Sequence, residues 1–209
     1  MAPSPRTISL GFARERVPEG THLCLIFTSD QERTHALLSY LLSGLQSGDR
    51  CACFSDNVTE DEVRQFMQEN GISYDERESS GAITLSAGSE VYFEGDRFEP
   101  QRMLDNLLRF YEEAIKADFQ GARIIGEMSP EVERVTGGKR LLEYESRVSL
   151  LVKQHPITAV CQYDARVFDG ATIMEILKVH PMMLVNGAVV RNPFYIEPED
   201  YLRDCCQDE

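Results

Sequence analysis

The histidines and cysteines that stand in or beside apolar segments carry the most reactive side chains of this chain. His22 and Cys24 lie two residues apart in HLCLIFT (residues 22–28), so a β-strand would place both on one face. Cys161 and His180 could join them, since imidazole nitrogen and thiolate sulfur bind Zn²⁺ and related metals. These four residues are candidate metal ligands. No C-x-x-C pair occurs, so simple packing and contact with an organic ligand stay open.

A nucleophilic enzyme would need a cysteine or serine within hydrogen-bond reach of a base. Cys161 with His22 or His180 would supply such a pair. The nucleophile elbow G-x-S-x-G, however, does not occur in the sequence. We therefore predict no catalytic residue, and a non-catalytic role is favoured for Cys161.

Two segments of the sequence are candidates for a phosphate-binding loop. A P-loop has the pattern G-x-x-x-x-G-K-[ST], because its amides cradle phosphate and its lysine neutralises the charge. The turn TSDQER (residues 28–33) has no glycine or lysine and carries two acids. At Gly138-Lys139, the position that the pattern reserves for the first glycine is occupied by Glu133. Arg140 stands where the pattern requires serine or threonine. ATP at a standard P-loop is therefore not expected, and the sequence names no other cofactor.

Polar and aromatic side chains end several apolar segments that are typical of strands. ARIIGEM (residues 122–128) ends in Gly-Glu-Met, and ITAVCQYD (residues 157–164) ends in Tyr163 and Asp164. Phe27 stands near the end of the first strand. Open parallel sheets bind ligands beyond the carboxyl ends of their strands. We therefore expect a polar-rimmed pocket there that takes a small organic molecule.

Two acidic sites have more than one interpretation. Glu127 ends an apolar strand, where its carboxylate could accept hydrogen bonds from a ligand or form a buried ion pair with Arg123 or Arg147. In Glu143-Tyr144-Glu145, neighbouring helix positions point ~100° apart. One of these two acids is therefore predicted to face the pocket and the other the solvent.

The chain alternates strand-like and helix-like segments, which predicts an α/β fold with a mainly parallel central sheet and helices on both faces. The predicted strands are 22–28, 50–55, 82–86, 122–128 and 157–164. The predicted helices are 31–46, 59–70, 100–117, 139–154 and 171–179, and 88–96 is predicted as a polar loop. Asn186-Gly187 between two short apolar runs predicts a C-terminal antiparallel hairpin.

Composition and charge restrict the class of protein. We expect one domain over residues 18–197, a flexible N-terminus over 1–17 and an acidic C-terminal tail over 198–209. The net charge of −14 argues against direct binding to nucleic acid or to an anionic membrane. No apolar run approaches the ~20 residues of a membrane span. The missing secretory signal and the cysteines in strand-like runs predict a cytoplasmic protein with reduced thiols.

An ordered set of short motifs resembles one known family. The motifs are Gly20–Cys24, Gly48–Cys51, Gly95–Phe98, Gly126–Met128, Glu143–Glu145, Cys161–Asp164, His180-Pro181 and Asn192–Tyr195. Together they resemble the MEDS domain, a methanogen/methylotroph sensory domain, over about residues 18–197. The resemblance implies a three-layer RecA/KaiC-like fold without its P-loop, and sensing of small hydrocarbon derivatives. Family members usually adjoin an output module, and because none follows Tyr201 we expect a stand-alone sensor or an excised domain.

The function predicted from these patterns is non-catalytic sensing of a small organic ligand and signalling to a partner protein or output domain. The predicted ligand-contacting residues are His22, Cys24, Phe27, Glu127, Tyr144, Cys161, Tyr163, Asp164 and His180. Alternatives are a metal- or thiol-redox-responsive switch, a protein-interaction module and a degenerate ATPase-like enzyme. The sequence is also compatible with a homodimer.

Overall fold

The fold is built on a seven-stranded sheet with helices on both faces. The computed structural model describes residues 6–130, 132 and 135–205. The strands are β1 (Thr7–Ser9), β2 (Arg16–Pro18), β3 (His22–Phe27), β4 (Arg50–Phe54), β5 (Ile83–Ser86), β6 (Ala122–Glu127), β7 (Ile157–Asp164), β8 (Met182–Val185) and β9 (Ala188–Arg191). The helices are α1 (Asp30–Gln46), α2 (Glu60–Glu69), α3 (Tyr74–Ser79), α4 (Gly88–Tyr92), α5 (Pro100–Lys116), α6 (Leu141–Gln154), α7 (Gly170–Val179) and α8 (Pro198–Cys205).

Local polar caps determine where the long helices begin. The Ser29 side chain accepts a hydrogen bond from the amide of Glu32 at the start of α1. Thr59 and Glu62 form a reciprocal capping box at the start of α2. Pro100 occupies the first turn of α5, where its missing amide hydrogen costs no helical bond. These signals are local in sequence, so predicted and observed starts agree closely.

The large sheet has the strand order β5-β4-β6-β7-β3-β8-β9, and every neighbouring pair except β8–β9 is parallel. The central strands β3, β6 and β7 are apolar along most of their length because helices cover them on both faces. The β8–β9 hairpin turns at Asn186 and Gly187, which both have the positive φ that this turn requires. The predicted α/β sandwich and its antiparallel hairpin are confirmed.

Two hydrophobic cores lie on opposite faces of the sheet. Helices α5, α6 and α7 contribute to one core, where Cys24 and Tyr163 are buried. Helices α1, α2 and α3 contribute to the other, where Leu25 and Phe27 are buried. Successive side chains of a strand point to opposite faces, so Phe27 cannot share a pocket with Cys24. Phe27 and Cys24 therefore lie on opposite faces of the sheet, and contact of Phe27 with a ligand stays a prediction.

The N-terminal segment differs from the expectation of a flexible N-terminus over 1–17. Strands β1 and β2 pair as an antiparallel hairpin. Ile8, Leu10 and Val17 of this segment are buried in the core beneath α1. The sequence pattern did not predict β1 and β2, because each strand has only three residues, too few to show the two-residue period of a strand. Residues 1–5 of the predicted segment lie outside the described residues.

The C-terminal segment also differs from the expected acidic tail. Its residues 198–205 form α8, which packs against α6. Residues 206–209 lie outside the described part. The short helices α3 and α4 were not predicted either, since six and five residues are too few to show a helical period. Among the described helices, none is long and apolar enough to cross a membrane.

Candidate functional site

Four side chains of ligand type converge on the α6 side of the sheet. We call them the core cluster, and they are His22, Glu145, Cys161 and His180. One potential ligand atom from each lies within 4.8 Å of the others. His22 begins β3, Cys161 lies in neighbouring β7, Glu145 belongs to α6, and His180 follows α7. Cys161 is partly buried and the other three are buried, so four separate elements build one polar site in the core.

Glu145 stands at the centre of the core cluster. Its Oε2 atom is 3.3 Å from His22 Nε2 and 3.6 Å from His180 Nε2. The Cys161 Sγ atom is 3.4 Å from His22 Nε2 and 3.6 Å from Glu145 Oε2. The Tyr163 hydroxyl donates a 2.7 Å hydrogen bond to the other oxygen, Oε1. The Oε2 atom of Glu145 therefore faces the other cluster residues, while Tyr163 holds the Oε1 atom in place.

Hydrogen bonds at the outer nitrogens orient both imidazole rings. The Ser149 hydroxyl donates to the Val179 carbonyl at 3.3 Å, so its oxygen accepts from His22 Nδ1 at 2.9 Å. His180 Nδ1 donates to the Ile176 carbonyl at 2.8 Å, because a carbonyl can only accept. Each ring therefore has its Nδ1 atom bound by the surrounding fold. Each Nε2 atom faces the cluster.

Burial governs protonation in the core cluster. Burial and the neighbouring His180 lower the pKa of His22 to about 4. Burial alone would raise the pKa of Glu145, but the neighbouring imidazoles of His180 and His22 hold that pKa below its usual value. Burial and the Glu145 charge raise the pKa of Cys161 well above its ordinary value. By itself the cluster thus holds a neutral His22, an ionised carboxylate and a thiol at neutral pH.

A second polar feature lies at the carboxyl ends of β6 and β7, and we call it the strand-end groove. Its volume is about 430 Å³. It is lined by Asp56, Asn57, Ser89, Glu127, Met128, Ser129, Pro130, Asp164 and Val167. This is the edge at which open parallel sheets bind their ligands.

Glu127 is bound by side chains of its own protein. Its Oε2 atom accepts from Ser55 Oγ at 2.6 Å and from an Arg33 nitrogen at 3.3 Å. Its Oε1 atom accepts from Asn57 Nδ2 at 2.8 Å. The carboxylate is therefore neutralised and oriented by residues of α1 and of the loop after β4.

The two arginines that the sequence offered as partners of Glu127 bind elsewhere. Arg123 contacts Asp49 at 2.6 Å, and Arg147 contacts Glu143 at 2.8 Å. Arg33 takes their place because the first turn of α1 faces the carboxyl ends of the strands. Glu143 pairs near the surface while Glu145 is buried, which is the predicted division between the two acids.

The protein's own acids occupy the turn after β3. Glu32 Oε2 accepts a 3.1 Å hydrogen bond from the Thr28 amide. Arg166 binds Asp30 at 2.7 Å and Asp164 at 2.6 Å. A phosphate-binding turn instead leaves its amides free to face an anion. Carboxylates here would repel phosphate, which gives a physical reason for the expectation against a P-loop.

The predicted ligand-contacting residues fall into three places instead of one pocket. The α6 side of the sheet, with the core cluster, contains His22, Cys24, Tyr144, Cys161, Tyr163 and His180. The strand-end groove contains Glu127 and Asp164. Phe27 lies in the opposite core. The single predicted pocket is therefore divided between the two ends and the two faces of the sheet.

Glu145 replaces Cys24 among the four predicted metal ligands. Cys24 is buried beside the cluster as the register partner of Cys161, but it is not one of the four converging residues. Glu145 was one of two acids between which the sequence did not choose. The buried positions Leu141, Glu145 and Ser149 recur every four residues along α6, and this helical period is the signal that marks Glu145 as inward-facing.

Comparison with known proteins identifies a family for most of the chain. The profile of the MEDS family, described as the methanogen/methylotroph, DcmR sensory domain, matches residues 21–181. The transcriptional repressor DcmR of Methylorubrum extorquens is 25% identical over 186 residues. That match covers 88% of this chain and 62% of the repressor. The chain thus spans less than two thirds of the length of this relative.

Solved structures with the same fold include two archaeal proteins. The KaiC-like protein PH0186 of Pyrococcus horikoshii has a TM-score of 0.58 and 15% identity, covering 86% of this chain and 80% of its own. The flagellar accessory protein FlaH of Methanocaldococcus jannaschii has a TM-score of 0.62 and 13% identity, covering 89% and 84%. At such identities the likeness shows the fold alone. The KaiC-like architecture implied by the motif resemblance is confirmed.

Proposed function

Since this chain belongs to the MEDS family of sensory domains, we propose that it binds a small organic molecule in the strand-end groove and reports it to a partner protein. The sensory or regulatory role follows from the family and agrees with the repressor relative. What we propose beyond this role is the class of ligand, the site that binds it, the contact with a partner and the absence of catalysis.

The observation that carries this proposal is the groove itself. A volume of about 430 Å³ is in the range of small-molecule sites, and the groove lies where parallel sheets bind ligands. Its acids are bound by their own protein: Glu127 by Arg33, and Asp164 by Arg166. Carboxylates held this way can accept hydrogen bonds from a ligand, but neither is free to act as a strong base. The geometry therefore supports binding better than turnover.

The lining of the groove indicates the chemistry of the ligand. Asp56, Glu127 and Asp164 supply acceptor oxygens, while Met128 and Val167 supply apolar surface. The lining contains no lysine or arginine among the described residues. We infer a small alcohol or amine, whose donors meet the carboxylates and whose carbon skeleton meets the apolar side. Small anions are disfavoured because the lining presents acceptor oxygens and no lysine or arginine to them.

The segment between β7 and α7 is the part that a groove ligand would move. Asp164 and Val167 line the groove and belong to this segment. Val167 is 55% exposed, and Met174 on α7 is 42% exposed. We infer that a signalling partner, an output domain or a second copy of this chain contacts this apolar surface. Direct contact with nucleic acid is disfavoured by the net charge of −14.

A thermal-shift screen of small alcohols, amines and carboxylates tests the proposal. A ligand at 100 times its Kd stabilises the folded state by about 2.7 kcal/mol, which for this length is a rise in Tm of about 5–10 °C. We expect the rise with an alcohol or amine. The Val167→Phe variant fills the groove from its exposed edge and should abolish the shift.

Val185→Phe is the matched control, because Val185 is also exposed but lies on the distant β8–β9 hairpin. It should leave the ligand-induced rise in Tm unchanged. An equal rise in wild type and Val167→Phe would place the ligand elsewhere. Stabilisation by carboxylates alone would contradict the inferred chemistry.

Thiol sensing is a second candidate function, favoured by the register of β3 and β7. Cys24 lies directly opposite Cys161, and both are free thiols. Neighbouring strands are ~4.8 Å apart, which is within the Cα separation of disulfides. Free thiols at Cys51 and Cys53 also support a reducing, cytoplasmic setting.

We expect the cysteines of the folded protein to react slowly. Burial raises the pKa of Cys24, Cys51 and Cys53 to about 12, so almost no thiolate is present at neutral pH. In the C205S/C206S variant a chromogenic disulfide reagent should label at most one thiol before unfolding, and all four that remain afterwards. Fast labelling of two or more native thiols would instead favour the thiol sensor.

A further inference from the structure

The core cluster has the spacing of a tetrahedral metal site. Metal–ligand bonds of about 2.0–2.3 Å place neighbouring ligand atoms of a tetrahedron about 3.3–3.7 Å apart. The separations of Glu145 Oε2 from His22 Nε2 and His180 Nε2 are 3.3 and 3.6 Å. Those of Cys161 Sγ from His22 Nε2 and Glu145 Oε2 are 3.4 and 3.6 Å. These four values match four of the six edges of a tetrahedron, and one potential ligand atom from each residue lies within 4.8 Å of the others.

We propose that the core cluster binds one divalent transition-metal ion, Zn²⁺ as the best-fitting, through both histidine Nε2 atoms, Glu145 Oε2 and Cys161 Sγ. This site goes beyond the proposed function and does not depend on it. It lies at a different place in the fold from the strand-end groove.

The orientation of the histidines supports a cation between them. The fully buried His180 Nε2 atom has no hydrogen-bond partner among the described residues. Its Nδ1 atom is taken by the Ile176 carbonyl, so Nε2 is the ring nitrogen available to a metal ion. The Nε2 atom of His22 lies 3.3 Å from the Glu145 carboxylate oxygen Oε2, and a cation bound between these two atoms would be stabilised by both.

The charges and donor types select the class of metal. A dication with the Glu145 carboxylate and the Cys161 thiolate gives a neutral site, which suits a buried position. Binding breaks the S–H bond of Cys161 and releases one proton to solvent. Two imidazoles and a thiolate suit Zn²⁺, Co²⁺ or Fe²⁺, whereas Mg²⁺ and Ca²⁺ prefer oxygen ligands.

Outer hydrogen bonds hold the ligands in the way that metal sites require. Ser149 fixes the ring of His22, and the Ile176 carbonyl fixes that of His180. Tyr163 holds the outer oxygen of Glu145. Such partners set the tautomer and direction of each ligand before the metal arrives. The ligands come from β3, α6, β7 and the segment after α7, so a bound ion would join these elements.

A cleft at the amino end of β3 offers a route to the site. It has a volume of about 340 Å³ and is lined by His22 and Ser149 among others. The strand-end groove lies at the opposite ends of the strands. Metal loading and ligand binding in the groove are therefore separable by experiment.

The test uses the full chain, stripped with a chelator and then titrated with Zn²⁺ or Co²⁺. We expect one metal ion per chain by plasma mass spectrometry. The Co²⁺ form should show the intense visible bands of a tetrahedral ion and a near-ultraviolet thiolate-to-metal charge-transfer band. Failure of the stripped wild-type chain to bind either ion stoichiometrically would overturn the proposal.

Variants test the individual ligands. Cys161→Ser and His180→Gln should each weaken Zn²⁺ binding by at least about 100-fold, and Cys161→Ser should remove the charge-transfer band. Cys24→Ala is the matched control, since Cys24 is a buried thiol on the neighbouring strand and outside the cluster. Its metal binding should be unchanged.

An unchanged Co²⁺ spectrum in Cys161→Ser would contradict the proposed ligand set. If a variant does not fold, the titration of the wild-type chain still decides whether the metal binds. Val167→Phe, which fills the strand-end groove, should bind the metal normally. Failure of the groove proposal and failure of the metal proposal are thus distinguishable.

Discussion

Replacing Asp49 with alanine is expected to lower the free energy of unfolding by about 3–5 kcal/mol. Asp49 is buried, and its two oxygens contact Arg6 at 2.5 Å and Arg123 at 2.6 Å. The Arg123 guanidinium is also buried and lies 5.6 Å from the centre of the Tyr40 ring. Alanine would leave this cation in the core without its carboxylate. The penalty of that stranded charge is the source of the expected loss.

Asp75→Ala is the control for this measurement. Asp75 pairs with Arg64 at 2.9 Å, but its side chain is 73% exposed. Solvent screens such a pair, so we expect a loss below about 1 kcal/mol. Urea unfolding followed by circular dichroism compares the two variants. Equal losses would show that the buried Asp49 contacts do not stabilise the fold.

A double variant identifies the cause of the loss. In Asp49→Ala/Arg123→Met both charges of the buried pair are removed together. Replacing a buried ion pair by apolar groups is often neutral, so this variant should recover part of the stability lost in Asp49→Ala. No recovery would indicate that lost packing, and not the stranded charge, causes the effect.

The second large effect is expected for Gly11→Ala, with a loss of at least about 3 kcal/mol. Gly11 has φ of +81°, and an added Cβ would lie 2.1 Å from the backbone oxygen of Ser39 in α1. That contact is impossible, so the N-terminal hairpin must move away from α1. Ile8, Leu10 and Val17 would then lose burial worth about 1.5–3 kcal/mol each when fully exposed.

Gly71→Ala is the matched control for the backbone conformation. Gly71 has φ of +75°, but no atom lies within 4 Å of an added Cβ. It should therefore show only the left-handed penalty of about 1–2 kcal/mol. Urea unfolding gives both losses, and hydrogen exchange at residues 7–18 reports the hairpin directly. Normal exchange protection in Gly11→Ala would contradict the argument.

Both predictions involve contacts made by a segment that precedes the family match at residues 21–181. Arg6 reaches Asp49 from this segment, and the Ser9 carbonyl accepts a 2.6 Å hydrogen bond from Arg123 of β6. The hairpin is thus bonded to the central sheet. We infer that the folding unit of this protein begins before the first residue that the family profile matches.

Much of the fold was predictable because its signals are local. The alternation of strands and helices, the capping box at Thr59 and the Asn186-Gly187 turn each depend on neighbours within a few residues. The two-residue period of β3 likewise placed His22 and Cys24 on one face. The same period assigns Phe27 to the other face, as the structure shows.

The sequence by itself determined the fold class, the shared face of His22 and Cys24, and the inward direction of one acid in residues 143–145. Only the tertiary structure decided that this acid is Glu145 in the core cluster, and that Arg33 binds Glu127. It also placed the cluster and the groove at different sites: His22 is the first residue of β3, whereas Glu127 is the last of β6. The five steps of ~3.3 Å from His22 to the end of β3 span ~17 Å, although Cys161 of the cluster is in register with Gly126 beside Glu127. No local pattern records which distant helix covers which end, because those contacts join residues far apart in the chain.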